Sequence, residues 1–152
     1  MSSSPDIRMV DVTEKPVTTR QATAKGGVVM QASTLSLVKE GNLPKGDVLA
    51  AARVAGIMAA KETHHLIPLC HPLLIDNVSI EFSLDEQASA VEITAAVRGS
   101  GKTGYEMEAL TAVAIGALTI YDMCKPVDST LRLENIRLTR KSGGKSGTVV
   151  LE

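Results

Sequence analysis

Two stretches decide the fold: Asn77-Val78-Ser79-Ile80-Glu81-Phe82-Ser83-Leu84 and Val91-Glu92-Ile93-Thr94-Ala95-Ala96-Val97-Arg98. In each, apolar residues alternate with polar or small ones at a period of two, the pattern of a strand with one buried face. The polar turn region Asp85-Glu86-Gln87 separates them, which predicts an antiparallel hairpin with one wet face. Immediately downstream the period changes. From Gly104 to Met123 the chain is apolar on most sides, with Met107, Leu110, Val113, Ile115, Leu118, Ile120 and Tyr121, which predicts a helix buried on more than one side.

Beyond that helix, Leu131, Leu133, Ile136 and Leu138 predict another strand, and Thr148 to Leu151 a short last one. Upstream of the hairpin, Asp47 opens an Ala-rich helix reaching about Thr63, with Val48, Ala51, Ala52, Ala55 and Met58 along one face. Small residues at Ala51, Ala55, Gly56 and Ala59 let a neighbouring element come close. A short helix capped by Ser33 or Thr34 and ended by Gly41 precedes it. The first strand falls within Thr23 to Gln31, around Gly27-Val28-Val29-Met30. The order strand, helix, strand, strand, helix, strand is a ferredoxin-like βαββαβ, an α+β fold with helices on one face of an antiparallel sheet. Residues 1–22, rich in Ser, Thr and charge, read as an N-terminal arm, and residues 23–152 as a single domain.

Composition narrows the function. The chain has 152 residues and a net charge of −1, with no Trp, one Phe and two Tyr. That balance argues against nucleic-acid binding, and any ligand ring must be held by aliphatic walls and polar groups. Between Arg132 and Lys145 five basic residues face one acid, which suits a small anionic ligand or a solvated edge. Two cysteines make no disulfide framework and lack zinc-ribbon spacing. No secretory signal is legible, and no stretch of about 18 residues reads as free enough of polar groups to cross a bilayer; Met107 to Met123 comes nearest. The expectation is a cytoplasmic protein without membrane attachment.

Leu66-Ile67-Pro68-Leu69-Cys70-His71-Pro72 carries the most chemical information. Two prolines stiffen an extended connector that presents a thiol beside an imidazole. It is either a positioned site or a buried turn in which Cys70 packs and His71 bonds to backbone. Gly99-Ser100-Gly101-Lys102-Thr103-Gly104 ends like a phosphate-binding P-loop. The full pattern needs glycine where Ala96 stands, and an antiparallel hairpin is the wrong platform. Glu106 and Glu108, two apart on a helix, face different ways and form no carboxylate dyad. Asp122 and Lys125, three apart, share a face next to the helix stop at Pro126. Lys45 sits at a helix start, which signals an anionic ligand or plain exposure. Lys141-Ser142-Gly143-Gly144-Lys145-Ser146-Gly147 reads as a linker or as a loop that closes on phosphate.

Taken together, these pieces resemble the cyclic pyranopterin monophosphate synthases, protein C of molybdenum cofactor biosynthesis. The resemblance rests on Lys45-Gly46-Asp47-Val48, Leu66 to Pro72, Gly101 to Gly104, Glu106-Met107-Glu108-Ala109-Leu110-Thr111, Leu118 to Lys125 and Lys141 to Gly147, in that order. Met9-Val10-Asp11-Val12 and Thr19-Arg20 also fit. Tyr105, in place of a small aliphatic residue, and the His64-His65 doublet read as local variation.

The resemblance implies conversion of 3′,8-cyclo-7,8-dihydro-GTP to cyclic pyranopterin monophosphate with release of pyrophosphate. It implies Asp122, Lys45 and Lys125 as catalytic groups. Leu69, Cys70, His71, Glu106, Met107 and Glu108 would bind substrate, and Lys141 and Lys145 would contact the triphosphate. No metal or cofactor is implied. The assembly implied is a homohexamer, a trimer of dimers with active sites at subunit interfaces. Two rivals stay open at this point: a non-enzymatic anion-binding module using the Gly-Lys loops, and a zinc protein using His64, His65, Cys70 and His71.

Overall fold

The computed structural model describes residues 6–152; the first five residues of the expected arm lie outside the described residues. In chain order the elements are β1 (Thr18–Val29), α1 (Ala32–Glu40), α2 (Val48–Leu66), β2 (Asn77–Asp85), β3 (Ala90–Gly101), α3 (Glu106–Cys124), β4 (Arg132–Ser142) and β5 (Val149–Val150). The sheet order is β2-β3-β1-β4-β5, with every neighbour antiparallel. α3 packs on β1, β3 and β4, and α2 packs on α3 and β2. This is the ferredoxin-like α+β arrangement, extended by α1 and by the edge strand β5.

The hairpin is built as its alternation predicts. Val91, Ile93, Ala95 and Val97 are fully buried, while Arg98 is exposed. β1 starts at Thr18, five residues before the expected Thr23, and pairs with β3 from Thr18↔Gly101 to Val29↔Ala90. Its first residues are polar because that end of the sheet is open, so hydropathy gave no sign of a strand there. In β4 the apolar spacing changes phase between Leu133 and Ile136. The cause is Asn135, at φ 55°, beside a register shift against Lys25 and Gly27 of β1. One extra residue there re-aims the strand, as a bulge does.

α2 differs from expectation in which face it buries. Asp47 is its N-cap, accepting from the Ala50 N–H at 3.0 Å, and the helix runs on to Leu66. Val48, Ala52, Gly56, Ala59 and Ala60 are buried, whereas Met58 is 59% exposed. Gly56 faces Ile80 and the Ala112 carbonyl of α3, and a Cβ at Gly56 would stand 3.1 Å from that oxygen. The close approach of the two helices therefore uses the Ala52–Gly56 stripe. α3 reaches the length and apolarity of a membrane span, with mean hydropathy 1.3, contrary to the sequence reading. Here it is the core helix: Ala109, Ala112, Val113, Ala117 and Ile120 are fully buried, although Leu118 is 53% exposed.

The cap of α1 comes from far away. Neither Ser33 nor Thr34 caps it; the N-cap is Gln31, whose side chain makes no capping bond. One donor at the helix start is met by Asp128, which accepts from the Gln31 N–H at 2.9 Å and also from the Thr34 hydroxyl at 2.8 Å. Its other oxygen accepts from the Thr130 N–H and hydroxyl, both at 2.7 Å. Burial alone would raise the Asp128 carboxyl, but the bonds from Gln31, Thr130 and Thr34 outweigh it and hold its pKa at about 2. A carboxyl depressed from 3.8 to about 2 adds about 2 kcal/mol above the unfolded value, lost as pH falls toward about 2. Asp128→Ala is expected to lower the melting temperature by roughly 5–10 °C at neutral pH. The same variant should flatten the loss of stability between about pH 4 and pH 2, which acid titration of both proteins by circular dichroism will read.

Candidate active site

The chemistry-bearing side chains gather at the two ends of α3. At its C-terminal end, Asp122 lies between two ammonium groups. Lys125, one helical turn on, reaches Asp122 Oδ1 at 2.9 Å. Lys45, from the connection between α1 and α2, donates to Asp122 Oδ2 at 3.3 Å and to the Asp122 main-chain carbonyl at 3.2 Å. Hydrogen bonds from Lys125 and then Lys45 hold the Asp122 carboxyl below its usual value, so it is an anion throughout the physiological range. All three side chains are accessible, so the group is not a core ion pair and is open to a ligand.

The N-terminal end of α3 is different in kind. Glu108 is 3% exposed, and its Oε1 has no hydrogen-bond partner. Its Oε2 accepts from the Cys70 thiol at 3.8 Å, and the same thiol also reaches the His71 carbonyl at 3.7 Å. Burial raises the Glu108 carboxyl; burial, then the nearby Glu108 charge, raises the Cys70 thiol to about 11. Cys70 is therefore a protonated hydrogen-bond donor at neutral pH, and not a nucleophile. A buried carboxylate oxygen without a donor is costly by itself, and its acceptor capacity is left open to an N–H from outside the chain.

At the start of α3 opens a separate cleft of about 820 Å³ lined by Glu106, Lys141 and Lys145 among others. Arg20 and Lys15 add two cations to its wall, which sequence reasoning did not assign to the site. Arg20 is fixed by donating through Nε to the Gly101 carbonyl at 3.1 Å and through Nη2 to that of Lys102 at 3.4 Å. The flexible-loop glycines have a structural reason: Gly143 and Gly144 sit at φ 94° and 75° and lie directly against Arg20. A side chain at Gly144 would displace the guanidinium, and one at Gly143 would run into the Thr19 carbonyl and the Arg20 backbone. Lys102 forms no phosphate loop: β3 is flanked by antiparallel neighbours, and its ammonium donates to the Thr13 carbonyl at 3.4 Å.

Tyr105, set aside as local variation, is the largest fully buried side chain. Its hydroxyl donates to the Leu74 carbonyl at 2.6 Å, tying the connector that carries Cys70 and His71 to the start of α3. Leu69 and Met107 stand exposed at 42% and 36% on the rim of this end. The structure thus brings together Lys45, Asp122 and Lys125 as one group. It joins Cys70 with Glu108, and Glu106 with Lys141 and Lys145, as two others. It does not bring the first group to the rest. Fourteen residues of α3 separate Glu108 from Asp122, roughly 21 Å at about 1.5 Å per residue. Among the described residues, no three His, Cys, Asp or Glu side chains stand close enough together to hold a metal ion.

The sequence profile of the MoaC family matches residues 9–144. A cyclic pyranopterin monophosphate synthase of Chloroflexus aurantiacus is 62% identical over 140 residues, covering 92% of this chain and 86% of its own. Proteins of the same name from Parvibaculum lavamentivorans and Natranaerobius thermophilus are 59% and 51% identical, over 92% and 93% of this chain and 88% and 89% of theirs.

Proposed function

The chain belongs to the MoaC family, and from that premise we infer the reaction it performs. It is a cyclic pyranopterin monophosphate synthase, a lyase of molybdenum cofactor biosynthesis that acts on a nucleotide-derived small molecule. The substrate is 3′,8-cyclo-7,8-dihydro-GTP and the products are cyclic pyranopterin monophosphate and pyrophosphate. The observation that carries this reading is the relationship itself: identity of 51–62% across more than nine-tenths of the chain. Incubation with the 3′,8-cyclised nucleotide, followed by mass analysis and a pyrophosphate assay, tests it. Binding without pyrophosphate release would favour an anion-binding module instead.

Within that reaction the two ends of α3 take different work. Glu108 and Cys70 hold the base-derived ring, the unpartnered Oε1 of Glu108 accepting from a ring N–H. His71, Leu69, Met107 and Glu106 complete that pocket, and Lys141 and Lys145 grip the triphosphate. Lys45 and Lys125 serve ring rearrangement and then attack of a sugar hydroxyl on the α-phosphorus. One lysine, as its neutral amine, takes the hydroxyl proton and becomes an ammonium, the new O–P bond closes the cyclic phosphate, and the bond to the departing pyrophosphate breaks. The other lysine, charged, stabilises the leaving group. Asp122 keeps both ammonium groups in place between steps. Lys141→Ala is expected to raise KM about tenfold with kcat little changed, because its contact with phosphate exists before and during reaction. Steady-state kinetics will separate the two constants.

A ring and a phosphate chain do not span roughly 21 Å of straight helix, so the complete site takes Glu108 and His71 from one subunit and Asp122, Lys45 and Lys125 from another. Exposed apolar side chains support this: Val54 and Met58 of α2 and Leu118 of α3 leave surface for a second copy to cover. We read the assembly as a hexamer, a trimer of dimers. Residues 23–152 form one catalytic domain, and the arm through residue 22 lends its last residues to β1. Two free cysteines fit a reducing compartment, the cytoplasm.

A further inference from the structure

We propose that the main-chain carbonyl of Val10 is a positioning group for His71: it locks the imidazole in its Nε2–H form and leaves Nδ1 as the one ring nitrogen able to accept from substrate. The proposal deepens the reading above, since it rests on His71 belonging to the substrate pocket.

His71 Nε2 lies 2.6 Å from the Val10 carbonyl oxygen. A carbonyl has no hydrogen to give, so the proton in that bond belongs to the ring. A neutral imidazole carries one N–H; with it on Nε2, the lone pair is on Nδ1. The carbonyl is held where it is by the local chain. Asp11 accepts from the Thr13 N–H at 2.9 Å and from its hydroxyl at 2.6 Å, and the Lys15 N–H donates to the Val12 carbonyl at 3.0 Å. These bonds fold Asp11–Lys15 into a compact turn, and Lys102 pins it by donating to the Thr13 carbonyl.

The strap from Met9 to Thr13 and the side chains of His71 and Lys102 together wall a recess of about 400 Å³. From the other side, Pro72 limits His71 to extended backbone, so the ring is held on a fixed stem, and the Val10 carbonyl that meets it lies one residue before the turn. Without the strap, solvent would set the tautomer, and a share of the rings would carry the hydrogen on the nitrogen needed as acceptor. Asp11 and Lys102 are the charged groups of this recess, and the contact made by the ring Nε2 is with the Val10 carbonyl.

The chain has only three histidines, His64, His65 and His71, which makes the test direct. Full-length protein labelled with nitrogen-15 at histidine is examined by long-range proton–nitrogen NMR in mildly alkaline buffer, with His71 assigned by the signals lost in His71→Gln. The expected result is a pyrrole-like Nε2 and a pyridine-like Nδ1 at His71. A pyrrole-like Nδ1, or a ring averaged between tautomers, overturns the proposal.

A chain lacking residues 2–12 provides the second arm. β1 begins only at Thr18, and the described residues among those deleted, 6–12, contribute nothing to the buried core. His71 should then average between tautomers, with KM rising severalfold and kcat changing little, since only the Nε2–H rings can accept from substrate. Unchanged His71 nitrogens in that chain would show that Val10 is not what locks the ring. Absence of turnover in the full chain with the Nε2–H form intact would instead count against the assigned reaction, so the two failures are distinct.

Discussion

Asp122→Ala is expected to lower turnover about a thousandfold while leaving the melting temperature within a few degrees of the unchanged protein. Asp122 is the one group that touches both Lys45 and Lys125, at 3.3 Å and 2.9 Å. Removing its carboxylate leaves two ammonium groups that repel each other, Lys45 held only by the main-chain carbonyl of residue 122 and Lys125 by no partner there. The fold hardly depends on the cluster, because accessible ion pairs contribute little to stability. Asp122 stays ionised well below neutral pH, so its role is that of an anion; Asp122→Asn, which keeps the shape and loses the charge, should fall nearly as far. Lys45→Ala and Lys125→Ala should each behave like Asp122→Ala. Pyrophosphate release and thermal melting measure the two sides of this prediction, and near-normal turnover in any of these variants would contradict the assignment.

Glu108→Gln is expected to lower kcat/KM about a hundredfold and to leave the unliganded protein as stable as before or more so. The two effects have one cause. Glu108 is buried with one oxygen unpartnered, an arrangement that costs stability until a ligand donates to it. An amide of the same shape removes the buried charge but replaces part of the acceptor face with N–H donors. The pH dependence has a definite sign. Burial raises the Glu108 carboxyl above its unfolded value of 4.5, so the folded chain binds the extra proton. Its contribution is fully present below about pH 4.5 and is lost as pH rises through the folded value. Glu108→Gln should remove that part of the decline, which melting curves across the range will show. A variant that loses stability at neutral pH while keeping kcat/KM would assign Glu108 to the core instead of the pocket.

Much of the fold is legible because periodicity is local. Val91, Ile93, Ala95 and Val97 announce β3 without reference to anything distant, and all four are fully buried. What escapes is whatever depends on a remote partner. The cap of α1 is supplied by Asp128, 97 residues after Gln31, so Ser33 and Thr34 looked like the available choices. Met58, expected on the buried face, is exposed, because Ala52 and Gly56 are the α2 residues that meet α3, where the approach is too close for a long side chain. Tyr105 looks like a chance replacement until its hydroxyl is seen to hold the Leu74 carbonyl.

The same division runs through the site. Asp122 and Lys125 read as neighbours from their helical spacing. Lys45 joins them from 77 residues away, and no local pattern shows that. Arg20 carried no signal apart from fitting the family motif, since its place in the cleft is set by carbonyls at the far end of β3.

The central claim is that each active site is shared between subunits, and subunit mixing tests it most directly. His71→Ala protein lacks one half of every site, and Asp122→Ala protein lacks the other. Each should be inactive alone. Under conditions that exchange subunits, a site regains both halves when its His71 comes from an Asp122→Ala chain and its Asp122 from a His71→Ala chain. Random mixing of equal amounts makes that combination about one site in four, so activity should return to about a quarter of the unchanged enzyme. Demonstrated exchange without any recovery would contradict a shared site and require both ends of α3 to act within one chain.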